Sequence, residues 1–123
     1  MAYAYFFYKG ELIGNPMALD TLGPLEQSVL YAVLRLRNDA YGVAIQKEIA
    51  EQTGKEVSFG AIYTTLERLE NKGFVTSRIG EATAIRGGRA KKYFAVTGAG
   101  QSALHASERA FAALRGNFGA AGA

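Results

Sequence analysis

Few side chains in this sequence could do covalent or acid–base chemistry. It holds no cysteine and a single histidine, His105. The lack of cysteine removes thiolate nucleophiles, thiolate zinc sites and disulfides together, and fits a reducing, cytoplasmic setting. One imidazole without an acid partner at short spacing makes neither a general acid–base pair nor a metal-ligand cluster. His105 stands beside Leu104 and Ser107 in an alanine-rich stretch and reads as solvent-facing or locally satisfied. The glycines Gly80, Gly87, Gly88, Gly98 and Gly100 form no phosphate-cradling loop between a strand and a helix; they read as hinges and turns. No catalytic residue, metal or cofactor is therefore expected, and the chain is not expected to be an enzyme.

Recognition chemistry is better represented. Phe59, Ile62, Leu66 and Leu69 recur at the spacing of one helical face, and Ser58 before them suits an N-cap. With that stripe turned inward at about 100° per residue, Gly60, Ala61, Thr64, Glu67, Arg68 and Asn71 fall on the far side. The compact residues Gly60, Ala61 and Thr64 allow a close approach to a groove floor. Thr64 and Arg68 can hydrogen-bond to base edges. Tyr63 and Thr65 lie on the flanks, where they would reach the sugar–phosphate backbone, and Tyr41, Ser58 and Tyr63 are expected mainly to position the helix. Any amphipathic helix has a polar face, so this pattern alone argues only weakly for DNA.

The charge distribution strengthens the reading. The net charge is only +3, yet positions 72–92 carry Lys72, Arg78, Arg86, Arg89, Lys91 and Lys92 against one acid, Glu81. A localised basic stripe is what a phosphate-tracking surface needs, although it also fits a solvated hairpin. Arg86, Arg89 and Lys91 fall near a Gly87–Gly88 tip, with Tyr93 placed to brace. Arginines there suit a minor groove or its phosphates, while edge protection of the sheet is the plainer role.

The elements that must hold these residues follow from hydrophobic period. Leu25, Val29, Val33 and Leu36, with Leu30 and Leu34, predict a first helix over 24–37. Tyr41–Gly42 opens a second, carrying Ile45 and Ile49, and Gly54 closes it. The third begins after Ser58 and ends at Asn71, Lys72 and Gly73. The period then changes, and the β-branched and aromatic runs 74–79 and 92–97 predict a hairpin with a long tip. A fourth, alanine-rich helix over 98–118 carries Leu104, Phe111 and Phe118 seven apart, with Leu114 beside them. The architecture expected is α+β: a winged helix-turn-helix of three helices plus a two-stranded wing over 21–97, with a C-terminal dimerisation helix at 98–118. Positions 1–20 are expected to be a flexible extension and 119–123 a tail. No run approaches the ~20 apolar residues of a membrane span, and the short apolar start lacks the basic beginning of a secretory signal.

At these residues the sequence resembles the PadR family of regulators. The resemblance runs from Leu22 to about Leu114. It is carried by Leu22-Gly23 with Leu25, by Tyr41-Gly42-Val43-Ala44-Ile45, by Ser58-Phe59-Gly60-Ala61-Ile62-Tyr63 with Leu66-Glu67-Arg68-Leu69-Glu70, and by Gly88-Arg89-Ala90-Lys91-Lys92-Tyr93-Phe94 with Val96-Thr97 and Gly100. It implies a dimer with two winged heads, repression of a neighbouring gene and release by a small effector. Two departures matter. Thr64 stands where the family often has proline or another small residue, so base preference does not carry over. A single C-terminal helix matches the short branch of the family.

The last helix is expected to form the homodimer interface through Leu104, Phe111, Leu114 and Phe118, since it carries more apolar surface than so small a domain can cover. A twofold dimer would read a pseudo-palindromic operator in double-stranded DNA. The phenylalanines could line a cleft for a flat aromatic effector, although filling the dimer core is the plainer role. The rival reading is a winged-helix protein–protein module that does not bind DNA.

Overall fold

The computed structural model describes residues 7–8, 11–12, 22–80 and 90–116. Arg86, Arg89, the glycine tip, Phe118 and the 119–123 tail lie outside them. Within the leading extension, the backbone pairs Phe7–Tyr8 (β1) with Glu11–Leu12 (β2) in an antiparallel ladder, so this segment carries a short hairpin that its sequence did not suggest.

Helix α1 (Pro24–Leu36) begins where proline is tolerated, and the Glu26 carboxylate accepts from the Gly23 N–H at 3.0 Å. A short 3-10 turn over Arg37–Asp39 ends it, one residue before the expected boundary. Helix α2 (Gly42–Thr53) closes at Gly54, and α3 (Phe59–Asn71) starts from Ser58, whose Oγ accepts from the Ala61 N–H at 3.2 Å. The three helices meet through Val29, Leu30 and Val33 of α1, Ile45 and Ile49 of α2, and Ile62, Leu66 and Leu69 of α3, all buried. Each such side chain contributes about 1.5–3 kcal/mol by leaving water. An Arg35–Glu48 pair at 2.8 Å ties α1 to α2 on the surface.

The wing is an antiparallel pair, β3 (Val75–Ile79) and β4 (Lys92–Val96), in the register Val75↔Val96, Ser77↔Phe94, Arg78↔Tyr93. Period-2 alternation sends Val75 and Phe94 into the core and leaves Arg78 and Tyr93 on the opposite face. Tyr41 adds a single bridge to Tyr93, and the Phe94 N–H donates to the Ala40 carbonyl at 2.8 Å. The residues entering α2 thus form a minimal third strand.

Helix α4 (Gly98–Arg115) is capped by Thr97, whose Oγ1 accepts from the Gly100 N–H at 3.0 Å. Gly100 is buried so close to the wing that a Cβ there would overlap the Phe74 carbonyl. Leu104 is 4% exposed, and the fully buried Ser107 Oγ accepts from the Leu22 N–H at 2.9 Å. Leu104 therefore packs in the chain's own core and is not free to face a partner, which corrects the interface expected for it. The face Gly100, Leu104, Ser107 continues at the same spacing to Phe111 and Leu114, which are 46% and 74% exposed. The helix outruns the body that covers its first half, and its described part runs to Arg115; positions 117–118 of the expected helix lie outside the described residues. The whole is an α+β winged helix-turn-helix.

Candidate nucleic-acid interface

The exposed side of α3 carries Gly60, Tyr63, Thr64, Glu67, Arg68 and Asn71, with Ala61 half-buried. The polar and compact residues singled out from the sequence thus share one surface on a rigid helix. Two flanking assignments change. Phe59, expected inside, is 44% exposed, and Thr65, expected at the sugar–phosphate backbone, is buried and gives nothing to a ligand. Ser58 is exposed, and its oxygen is engaged in the cap, leaving its O–H to donate.

The basic stripe is less available than its composition implies. Lys72 donates to Glu26 Oε2 at 2.7 Å, and Lys92 lies 3.7 Å from Glu70. Burial pushes the Glu26 carboxyl up, but the Lys72 hydrogen bond, the Gly23 N–H and the charges of Lys72 and Arg68 outweigh it and hold the group below its usual value. Lys72 therefore serves the fold. Arg78 stacks over the Tyr93 ring with Cζ 4.5 Å from its centroid and reaches the Asn38 carbonyl at 3.4 Å. Lys91 rests with Nζ 4.2 Å from the Tyr41 centroid, and among the described residues no carboxylate pairs with it. Its charge stays available at the root of the wing.

Two contacts escaped sequence reasoning. Tyr41 and Tyr93 meet edge to face at 5.6 Å, joining the entrance of α2 to the wing. Tyr63 lies so close over Gly42 that a Cβ there would overlap its hydroxyl. The types of Tyr41 and Tyr93 were a signal, but their pairing across the fold was not.

Among the described residues, no group of three or more His, Asp or Glu could hold a metal ion, and no helix is long and apolar enough to cross a membrane.

Comparison with known proteins bears on the same span. The model of the transcriptional regulator PadR-like family matches residues 29–106. The solved structure of a PadR-like transcription factor from Bacteroides fragilis is 27% identical at a TM-score of 0.63, over 77% of this chain and 86% of that one. A PadR family transcriptional regulator from Eggerthella lenta is 26% identical at a TM-score of 0.61, over 77% and 82%. A structure from Thermoplasma acidophilum, described as a transcriptional regulator, is 25% identical at 0.61, over 74% and 81%. No curated protein matches the chain. The family consists of transcription regulators and not of enzymes. The matched span runs from Val29 within α1 through α2, α3 and the wing to Ala106 in the first half of α4, more than half of the chain, and on that ground the chain belongs to the PadR-like family of transcriptional regulators.

Proposed function

We propose that this chain is a sequence-specific DNA-binding repressor that works in the cytoplasm as a homodimer on a pseudo-palindromic operator and is released by a small aromatic effector. The observation that carries DNA reading is the exposed α3 face, where Thr64 and Arg68 stand with the compact Gly60 on one side and Glu67 and Asn71 on the other. Thr64 and Arg68 read base edges, while Tyr41, Ser58, Tyr63, Lys91 and the wing arginines Arg86 and Arg89 position the head on the backbone. Repression then needs only occupancy of a promoter.

The exposed continuation of the α4 stripe supports the dimer. Phe111 and Leu114 prolong a face that is buried over its first two turns, and a second copy related by a twofold axis would cover both. Such a dimer sets two α3 helices about one turn of duplex apart. Paired Phe111 rings at that seam give an aromatic effector a surface through which to alter the spacing of the heads.

The test is selection from random duplex, followed by titration of the recovered duplex against salt. Binding should weaken with a log–log slope of about −0.9 per phosphate contact, and Arg89→Ala with Lys91→Ala should lower affinity for all sequences and flatten the slope. A protein that enriches no duplex and binds random DNA with no salt dependence is an adaptor and not a repressor.

A further inference from the structure

Tyr41 and Gly42 are neighbours in the chain but touch two different DNA-facing elements. Tyr41 meets the wing: its ring and that of Tyr93 pack edge to face with centroids 5.6 Å apart, and Lys91 Nζ lies 4.2 Å from the Tyr41 centroid. Arg78 covers the Tyr93 ring at 4.5 Å, so two cations bracket two tyrosines. Gly80 makes room, since a Cβ there would fall 2.5 Å from Tyr93 Cε2. Gly42 meets α3, because the missing Cβ is what allows the Tyr63 ring to lie across the start of α2.

We propose that Tyr41–Gly42 is a joint that fixes the wing relative to the N-terminal half of the recognition helix, with Tyr93 and Tyr63 as the positioning residues seated on it. Its purpose rests on the DNA-binding reading; its geometry does not. The wing is otherwise held to α3 by Val75 and Phe94, which share the core with Ile62, Leu66 and Leu69, and by a polar link at Glu70, which accepts from Ser77 Oγ and lies 3.7 Å from Lys92. Glu70 stands in the last turn of α3, at the end away from the residues that enter a groove first. With Val75 and Phe94 seated in the core and Glu70 holding one face, the wing could still twist about that seat, carrying Lys91 away from Thr64. The Tyr41–Gly42 contact acts on the other face of the wing and on the second turn of α3, which removes that freedom. A phosphate held by the wing and a base edge held by α3 are then kept at one separation, which a rigid duplex requires.

The experiment uses the full chain, with the duplex recovered by selection and an unselected random duplex as probes. In the free protein, exchange of the Phe94 amide reports wing docking directly, because that N–H donates to the Ala40 carbonyl. Tyr93→Leu should speed that exchange on the order of tenfold and weaken the selected duplex by a similar factor, with the salt slope flattened by about 0.9; Tyr93→Phe should restore both. Gly42→Ala should cost on the order of tenfold in affinity in the wild-type background and less than about twofold when Tyr63 is already alanine, because the overlap is then gone. Unchanged Phe94 exchange in Tyr93→Leu, or a Gly42→Ala effect equal in both backgrounds, would overturn the joint. A wild-type chain that binds neither duplex would overturn the purpose assigned to it, while the exchange measurement still decides the geometry.

Discussion

The pair Glu26–Lys72 decides whether one lysine of the basic stripe belongs to the fold or to the DNA surface. The Glu26 side chain is 11% exposed, accepts from Lys72 Nζ at 2.7 Å and from the Gly23 N–H at 3.0 Å, and so joins the start of α1 to the end of α3. A hydrogen bond to a charged group contributes about 1.5–3 kcal/mol net. Lys72 is 43% exposed, so its share falls to the range of surface pairs, about 0.2–1 kcal/mol. Glu26→Gln keeps an acceptor for Gly23 and should cost about 1 kcal/mol at neutral pH; Glu26→Ala also removes the cap and should cost about 2. The folded carboxyl is held below the ordinary glutamate value of about 4.5, so its stabilisation is complete above that value and is lost as pH falls through the lowered folded value. Urea denaturation of wild type and Glu26→Gln should therefore differ near neutrality and converge as the pH falls through the lowered folded value. Lys72→Gln should lose stability like Glu26→Gln, with no further loss in the double variant, and should leave duplex affinity within about twofold. If Lys72→Gln keeps its stability but flattens the salt slope of duplex binding by about 0.9, Lys72 is a phosphate contact and the reasoning fails.

Three further outcomes follow from the same geometry. Arg68→Ala should relax preference at one base position of the selected duplex by about 1–3 kcal/mol, measured by competition with single-base variants; an equal loss for every variant would make Arg68 a backbone contact. Phe111→Asp should convert a sedimenting dimer to a monomer with little change in melting temperature, whereas Leu104→Ala should cost about 2–5 kcal/mol of folding stability, because only the former side chain stands outside the chain's own core. Gly100→Ala should lower the melting temperature by several degrees, with about 1–3 kcal/mol lost in forcing α4 off the Phe74 carbonyl; an unchanged temperature would mean that α4 shifts without cost.

The order of elements was legible because each announces its period locally. Ile62, Leu66 and Leu69 admit only a helix, Gly54 and Gly73 punctuate where the chain turns, and the change at Phe74 to β-branched residues admits only strands. The start of α4 at position 98 was legible from the change of composition there, although Thr97, its cap, reads in sequence as the end of a strand. Its ownership was not. Leu104 and Phe111 are apolar residues seven apart on one stripe, and nothing in either says that the body ends between them. That boundary is drawn by Ser107, a polar residue buried by a hydrogen bond from Leu22, 85 positions away.

The α3 face shows why the site was harder to read than the helix that carries it. At about 100° per residue, Phe59 and Thr65 stand roughly 60° to either side of Ile62, so a helical wheel places them symmetrically and hydrophobicity alone favours burying the phenylalanine. The structure does the reverse, because the body covers the Thr65 flank and ends before Phe59. Charge misled for a related reason: Lys72 and Lys92 lie in the basic stripe, but each has a carboxylate near it from another part of the chain, Glu26 and Glu70. Sequence counts charges, whereas a duplex meets only those that folding leaves unpaired. Of the stripe's described members, Arg78 and Lys91 meet that condition, and they lie over Tyr93 and Tyr41, where the wing and the start of α2 converge. The charge available to phosphate and the contact that fixes the wing's position therefore coincide at one place, so a change at Tyr41 should act on affinity through Lys91 and on register through Tyr93 together.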